Sequence, residues 1–188
     1  VKYADVTPKS FICRSDSKDG TGDRGVSEFD AMGWDLTALW DFGPQPWLHN
    51  SYAYHMPYGS YALTTSSSSP GMAVAADRNP WIQSAGWGVR NFSTFNPNGN
   101  INSIKEGNCF THKNEGQNVL YLDTHVDFKT NSFCGVNQDN IYTSWNGSEI
   151  RKGTQPVLGS QPAMNLTGIA PAGKTDSLLL NDPPVTKP

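Results

Sequence analysis

The sequence predicts an α+β domain, a small antiparallel β-sheet with one short helix wrapped in long loops. Three observations lead there. Short runs rich in β-branched and aromatic residues alternate apolar and polar positions, above all between Gln117 and Phe128. A single stretch, Ser27 to Phe42, spaces its apolar residues at helical intervals. Hydrophobic residues reach only 36% and charged ones 16%, so Gly, Pro, Ser, Asn and Thr carry much of the chain, and turns must be plentiful. At 188 residues the chain has the length of one domain, expected over 1–180 with a loose tail over 181–188.

From the N-terminus, Phe11-Ile12-Cys13 is a short run of buried type ahead of a polar loop. That loop gathers Asp16, Asp19 and Asp23 with Gly20 and Gly22. Oxygen-rich, glycine-permitted turns suit a hard cation such as calcium, and serve equally as solvated turns. The distal glutamate of an EF-hand is missing. Ser27 can cap the expected helix, whose apolar positions are Phe29, Met32, Leu36, Leu39 and Trp40, and Pro44 and Pro46 end it. Residues 51–58 read as a strand with Tyr52, Tyr54 and Met56 on one face and His55 opposite, as a surface or hydrogen-bonded residue. A low-complexity connector over 64–71 leads into a buried strand, Gly71 to Asp77. Residues 79–107 are expected to be loop, pinned by Trp81 and Trp87, with a turn at Asn96 to Asn100.

The best-defined unit is a hairpin over 117–128, expected at the centre of the sheet. Val119 and Tyr121 point one way and Leu120 and Leu122 the other. Beyond the turn, Val126 and Phe128 share a face, with His125 and Asp127 on the wetter one. A tight two-residue turn needs positive φ at both central positions, which β-branched Thr124 disfavours. A longer or bulged turn at Asp123-Thr124 is therefore expected. Asp139 to Thr143 reads as a further short strand or turn.

The net charge of −3, with no Lys/Arg run, argues against nucleic acid or an anionic membrane surface as partner. No stretch is apolar for the length of a membrane span. Hydrolase elbows, phosphate-cradling glycine loops and paired Cys–His signatures are missing, so no catalysis is expected. His112, Asp123, His125 and Asp127 are the densest titratable set. They can bind zinc or another transition metal, or they can brace the turn, the carboxylates accepting its amides and histidine orienting them. The bracing role is the expected one. Trp34, Trp40 and Trp47 offer a sugar-stacking platform or ordinary core packing, and packing is the expectation. Cys13, Cys109 and Cys134 fit no zinc spacing; an oxidising compartment would leave one disulfide and one free thiol, with three pairings open.

His112, the run GQNVLYLD over 116–123 and the closing HVDF over 125–128 resemble the C-terminal His-x9-Asp-Gly signature of bacterial prepilin-type proteins, the type IV pilin and pseudopilin-like group. FICRSD at 11–16, SYAYHMPYG at 51–59 and CGVNQDNIYT at 134–143 are also similar to members of that group, so the likeness spans most of the chain. Two positions depart from it. Ten residues, Lys113 to Leu122, separate His112 from Asp123, and Thr124 stands where the signature has glycine. The resemblance implies a pilin-like, non-catalytic, extracytoplasmic head with a structural role in an envelope, secretion or filament assembly. It implies neighbouring pilin-like subunits or envelope components as partners, and membrane attachment only through an N-terminal helix outside this chain. Loop calcium in such heads would fall on Asp16, Asp19 and Asp23. Cys13 and Cys134 flank the similar motifs and are the expected disulfide. The Asp176-Ser177-Leu178-Leu179-Leu180 segment is expected to close the domain as an edge strand. Two other classes stay open: a glycan- or envelope-binding module using exposed Trp34, Trp47 or Trp87, and a metal-dependent enzyme centred on His112 and His125.

Overall fold

The computed structural model describes residues 6–16, 26, 42, 45–57, 61–63, 69–83, 88–145, 147–156 and 170–182. A five-stranded antiparallel sheet organises them: β1 (Tyr52–His55), β2 (Ala73–Asp77), β3 (Gln117–Tyr121), β4 (Val126–Lys129) and β5 (Leu179–Leu180), in the spatial order β4-β3-β2-β1-β5. With few helical turns around it, the architecture is a small α+β fold with one open sheet.

The alanines of β2 explain its central place. Ala53 and Ala76 face each other across β1 and β2, and both are buried. Small side chains there leave room for large rings arriving from loops. Trp81 meets Phe92 edge-on at 4.9 Å and Phe95 at 5.3 Å, and Tyr142 joins the same cluster with Val119, Tyr121, Ile141 and Leu179. The core is therefore a sheet of small residues roofed by loop aromatics. The register between β2 and β3 slips at Val74, a local bulge between Ala73 opposite Tyr121 and Ala75 opposite Leu120.

This arrangement corrects several expectations. The hairpin forms, but at one edge: β3 is inner and β4 is the outermost strand. Val126 and Phe128 are 65% and 45% exposed, so their shared face is no core face. Among the described residues β4 pairs only with β3, and its side chains take no part in the core cluster. In β1 the inward residues are Ala53 and His55, whereas Tyr54 is exposed and Tyr52 half-buried. The period of two holds, but the loop aromatics occupy the space that tyrosines on that face would need. Residues 139–143 make a turn, one of the two forms expected of them, with Ile141 and Tyr142 fully buried.

A single-turn helix, α1 (Ile101–Lys105), stands inside the segment expected to be loop. Asn100 caps it by accepting the Ser103 amide at 3.0 Å. The preceding turn is as expected, with the Gly99 amide donating to the Asn96 carbonyl at 3.1 Å. Trp81 is buried as expected, while Trp87, Trp34, Trp40, most of the 64–71 connector and the helix expected over 27–42 lie outside the described residues, Phe42 excepted. The ring of Phe42 packs edge-on against Phe11 at 4.8 Å.

The exit of β2 ties the termini together. Arg78 is buried and donates to the carbonyls of Asn50 and Trp47, each at 2.9 Å, and pairs with Asp16 at 3.4 Å. Asn79 donates to the carbonyls of Tyr142 and Leu179 at 2.8 and 3.0 Å, and its own amide donates to Asn181 Oδ1 at 3.0 Å. β5 pairs with β1 as an edge strand. Asn181, expected to begin a loose tail, is instead held in the packed end; 183–188 lie outside the described residues.

Candidate functional site

Asp77, Arg78 and Asn79 leave β2 in three directions, and Asp77 points at chemistry. Its carboxylate is fully buried at the edge of the core. Oδ2 accepts the Asn118 amide of β3 at 2.7 Å and the Asn118 Nδ2 at 3.1 Å. His112, in the turn before β3, brings Nε2 to 3.1 Å from the same Oδ2. Cys13 brings Sγ to 3.8 Å from His112 Nε2 from a position 99 residues earlier. One donor atom from each of Cys13, Asp77 and His112 lies within 4.8 Å of the others. Phe128 of β4 walls the cluster, meeting the imidazole edge-on at 5.6 Å.

The electrostatics are set by burial. Desolvation pushes the Cys13 thiol above its ordinary value, and the neighbouring Asp77 charge pushes it further. Burial likewise raises Asp77, opposed by the Asn118 amide and by His112. A thiol kept protonated is a poor nucleophile. The geometry agrees: in a nucleophile–base–orienter triad the imidazole uses its two nitrogens for two partners, but here thiol, carboxylate and Asn118 all meet Nε2. The cluster is built for ligation or for bracing.

The four residues singled out in the sequence do not gather. His112 belongs to the cluster just described. Asp123 and His125 pair with each other at 2.5 Å in solvent, where the His125 ring also stacks on Tyr121 at 4.4 Å. Asp127 is held by Lys129 at 2.6 Å. The antiparallel register sends His125 and Asp127 away from His112, so a metal centre shared by the two histidines is not formed. Asp123 does what a turn acid should, accepting the His125 amide at 3.2 Å.

Of the three acids expected to hold calcium, Asp16 is buried and faces the Arg78 guanidinium at 3.4 Å, and Asp19 and Asp23 lie outside the described residues. One further expectation is corrected. All three cysteines are free thiols. Cys13 is turned to His112 and Asp77, whereas Cys134 lies under Tyr121 with Sγ toward the Ser132 carbonyl, so the expected Cys13–Cys134 bridge is not made. Burial pushes Cys109 and Cys134 each up to about 12. Trp47 is half-buried against the Arg78 anchor, with Trp34 and Trp87 outside the described residues.

Sequence reasoning missed Asp77, Asn118 and the approach of Cys13. Asp77 closes an apolar strand and Cys13 an apolar run, which is the available signal: an acid or thiol at the end of a buried run has few ways to stay solvated. Comparison with known protein families, with curated proteins and with solved structures finds no match to this chain.

Proposed function

We propose that the chain is the non-catalytic, extracytoplasmic head of a prepilin-type, pilin- or pseudopilin-like protein, working by packing against neighbouring subunits in an envelope, secretion or filament assembly. One observation carries the reading. Thr124, at the position where the prepilin-type signature has glycine, adopts a left-handed φ of 73°. It follows a turn closed by the Thr124 amide on the Tyr121 carbonyl at 2.9 Å and capped by Asp123. That is the backbone for which an Asp-Gly pair is the natural solution. Asp-Thr keeps the turn despite the β-branch. The resembling residues thus act as one architectural unit, with His112 buttressing the first strand through Asn118.

The packing surface in this reading is β4. It is outermost, and Val126 and Phe128 stand on it beside the Asp127–Lys129 pair. Edge strands offer unpaired backbone groups to a neighbour, and exposed apolar side chains favour their being covered.

The test is the coding sequence upstream of Val1 together with fractionation of the source cells. A basic leader followed by about 20 apolar residues, with the protein in the envelope or in sheared filaments, is the expected result. A plain secretory signal, or recovery from the cytosol, overturns the proposal.

A further inference from the structure

We propose that Cys13, Asp77 and His112 form a zinc(II) site that clips the N-terminal segment to the sheet. The inference stands apart from the prepilin-type reading and rests on three features of the cluster.

The first is the donor set. A thiol, an imidazole and a carboxylate converge from three separate parts of the chain, and soft sulfur with nitrogen selects zinc-like ions over calcium or magnesium. The second is spacing. Tetrahedral zinc with ordinary bond lengths places sulfur and nitrogen ligands about 3.6 Å apart and nitrogen and oxygen about 3.4 Å apart. The cluster has 3.8 Å between Cys13 Sγ and His112 Nε2, and a carboxylate oxygen of Asp77 lies within 4.8 Å of both. Small side-chain adjustments therefore suffice.

The third is the state of the polar atoms. His112 Nε2 has one hydrogen-bonding position and three claimants, namely Cys13, Asp77 and the Asn118 amide. Meanwhile Asp77 Oδ1 is buried and has no hydrogen-bond partner. A divalent ion relieves both conditions at once. It takes the lone pair of Nε2, and Oδ1 supplies the oxygen ligand. Oδ2 stays with the Asn118 backbone amide, whose 2.7 Å hydrogen bond fixes the carboxylate as outer-sphere partners of metal ligands do. Binding releases the thiol proton to solvent, and Cys13 ligates as thiolate. The His112 side chain is 20% exposed, so water can reach the ion and complete the tetrahedron.

The test uses the full 188-residue chain, chelator-stripped and reduced. Cobalt(II) is titrated as a spectroscopic stand-in for zinc. The expected result is a thiolate-to-cobalt charge-transfer band that saturates at one ion per chain and is displaced by zinc. Cys13→Ser abolishes the band and His112→Ala weakens binding at least tenfold, while Cys134→Ser retains it. Independently of any variant's folding, zinc slows iodoacetamide labelling of Cys13 in the native chain at least tenfold, read by peptide mass spectrometry. Absence of the band, its survival in Cys13→Ser, or a Cys13 labelling rate indifferent to zinc overturns the proposal.

Discussion

Thr124 carries a conformational cost that its neighbours offset. A β-branched residue at φ 73° crowds its Cβ against the backbone, a penalty of about 1–2 kcal/mol for an L-residue in the left-handed region. The Asp123 cap, the stacking of His125 on Tyr121 and the return hydrogen bond from the Tyr121 amide to the His125 carbonyl at 3.0 Å hold the turn regardless. Glycine removes the crowding but adds entropy to the unfolded chain, so only part of the penalty is recovered. Thr124→Gly is therefore expected to stabilise the protein by about 0.5–1 kcal/mol, measured by urea denaturation at constant slope. A destabilised glycine variant would mean that the Thr124 side chain makes a contact worth more than its strain. Cys13 illustrates the opposite case at the same scale. A cysteine after two apolar residues signals burial but not what it meets, because His112 and Asp77 are brought to it only by tertiary contact.

Among the elements, the contrast between β3 and β4 separates what alternation can and cannot disclose. Both strands alternate, and both are readable as strands from their β-branched and aromatic residues. Val119 is fully buried, whereas Val126 is 65% exposed, and no local pattern distinguishes them. What packs over the strand decides it: Val119 joins the aromatic core cluster and Val126 does not, whereas Leu179 of the equally outermost β5 is fully buried within it. The expected outcome is correspondingly unequal. Val119→Ala leaves a cavity in the aromatic roof and costs about 2 kcal/mol or more, while Val126→Thr stays within about 0.5 kcal/mol of wild type. Thermal or urea unfolding of the two variants checks this, and equal losses would place β4 against something the sheet does not show. The single turn α1 is illegible for a different reason. Its stability comes from the Asn100 and Ser103 cap rather than from an amphipathic repeat, and five residues are too few to display a period.

Across the whole molecule, the segments that close the sheet meet at a buried acid pair whose ionisation sets a pH limit. Asp139, from the 139–143 turn, accepts the Ser177 amide at 2.7 Å, and Asp176 accepts the amides of Ala172 at 2.5 Å and Trp145 at 3.1 Å. Burial pushes both acids up, Asp139 to about 9 with the Asp176 charge adding to the push, and Asp176 to about 6. An acid whose folded value exceeds its unfolded one stabilises the fold while both states hold the proton, and that stability drains as pH climbs toward the folded value. Buried His55, beside this end of the sheet, is lowered by desolvation and acts in the reverse sense, but only below about 6.5, where its unfolded form gains a proton. The lowered values of exposed Asp123, Asp127 and Glu149 act at more acid pH still. Between about pH 6.5 and 8.5 stability therefore falls, by at most about 1.4 kcal/mol per pH unit for each proton held; Asp139 leads the fall, and buried Asp77, raised likewise, acts in the same sense. Asp139→Asn keeps an acceptor for the Ser177 amide and carries no ionisable proton, so it should flatten that slope and overtake the wild type at the alkaline end. Denaturant titrations of both proteins across the window decide the matter: a wild type that gains stability with rising pH, or an Asp139→Asn profile parallel to it, would show that the two carboxyls ionise freely. The same junction accounts for what the sequence withheld at this scale, because Asp139 and Asp176 lie in turn-rich segments whose contact exists only once β5 has docked on β1.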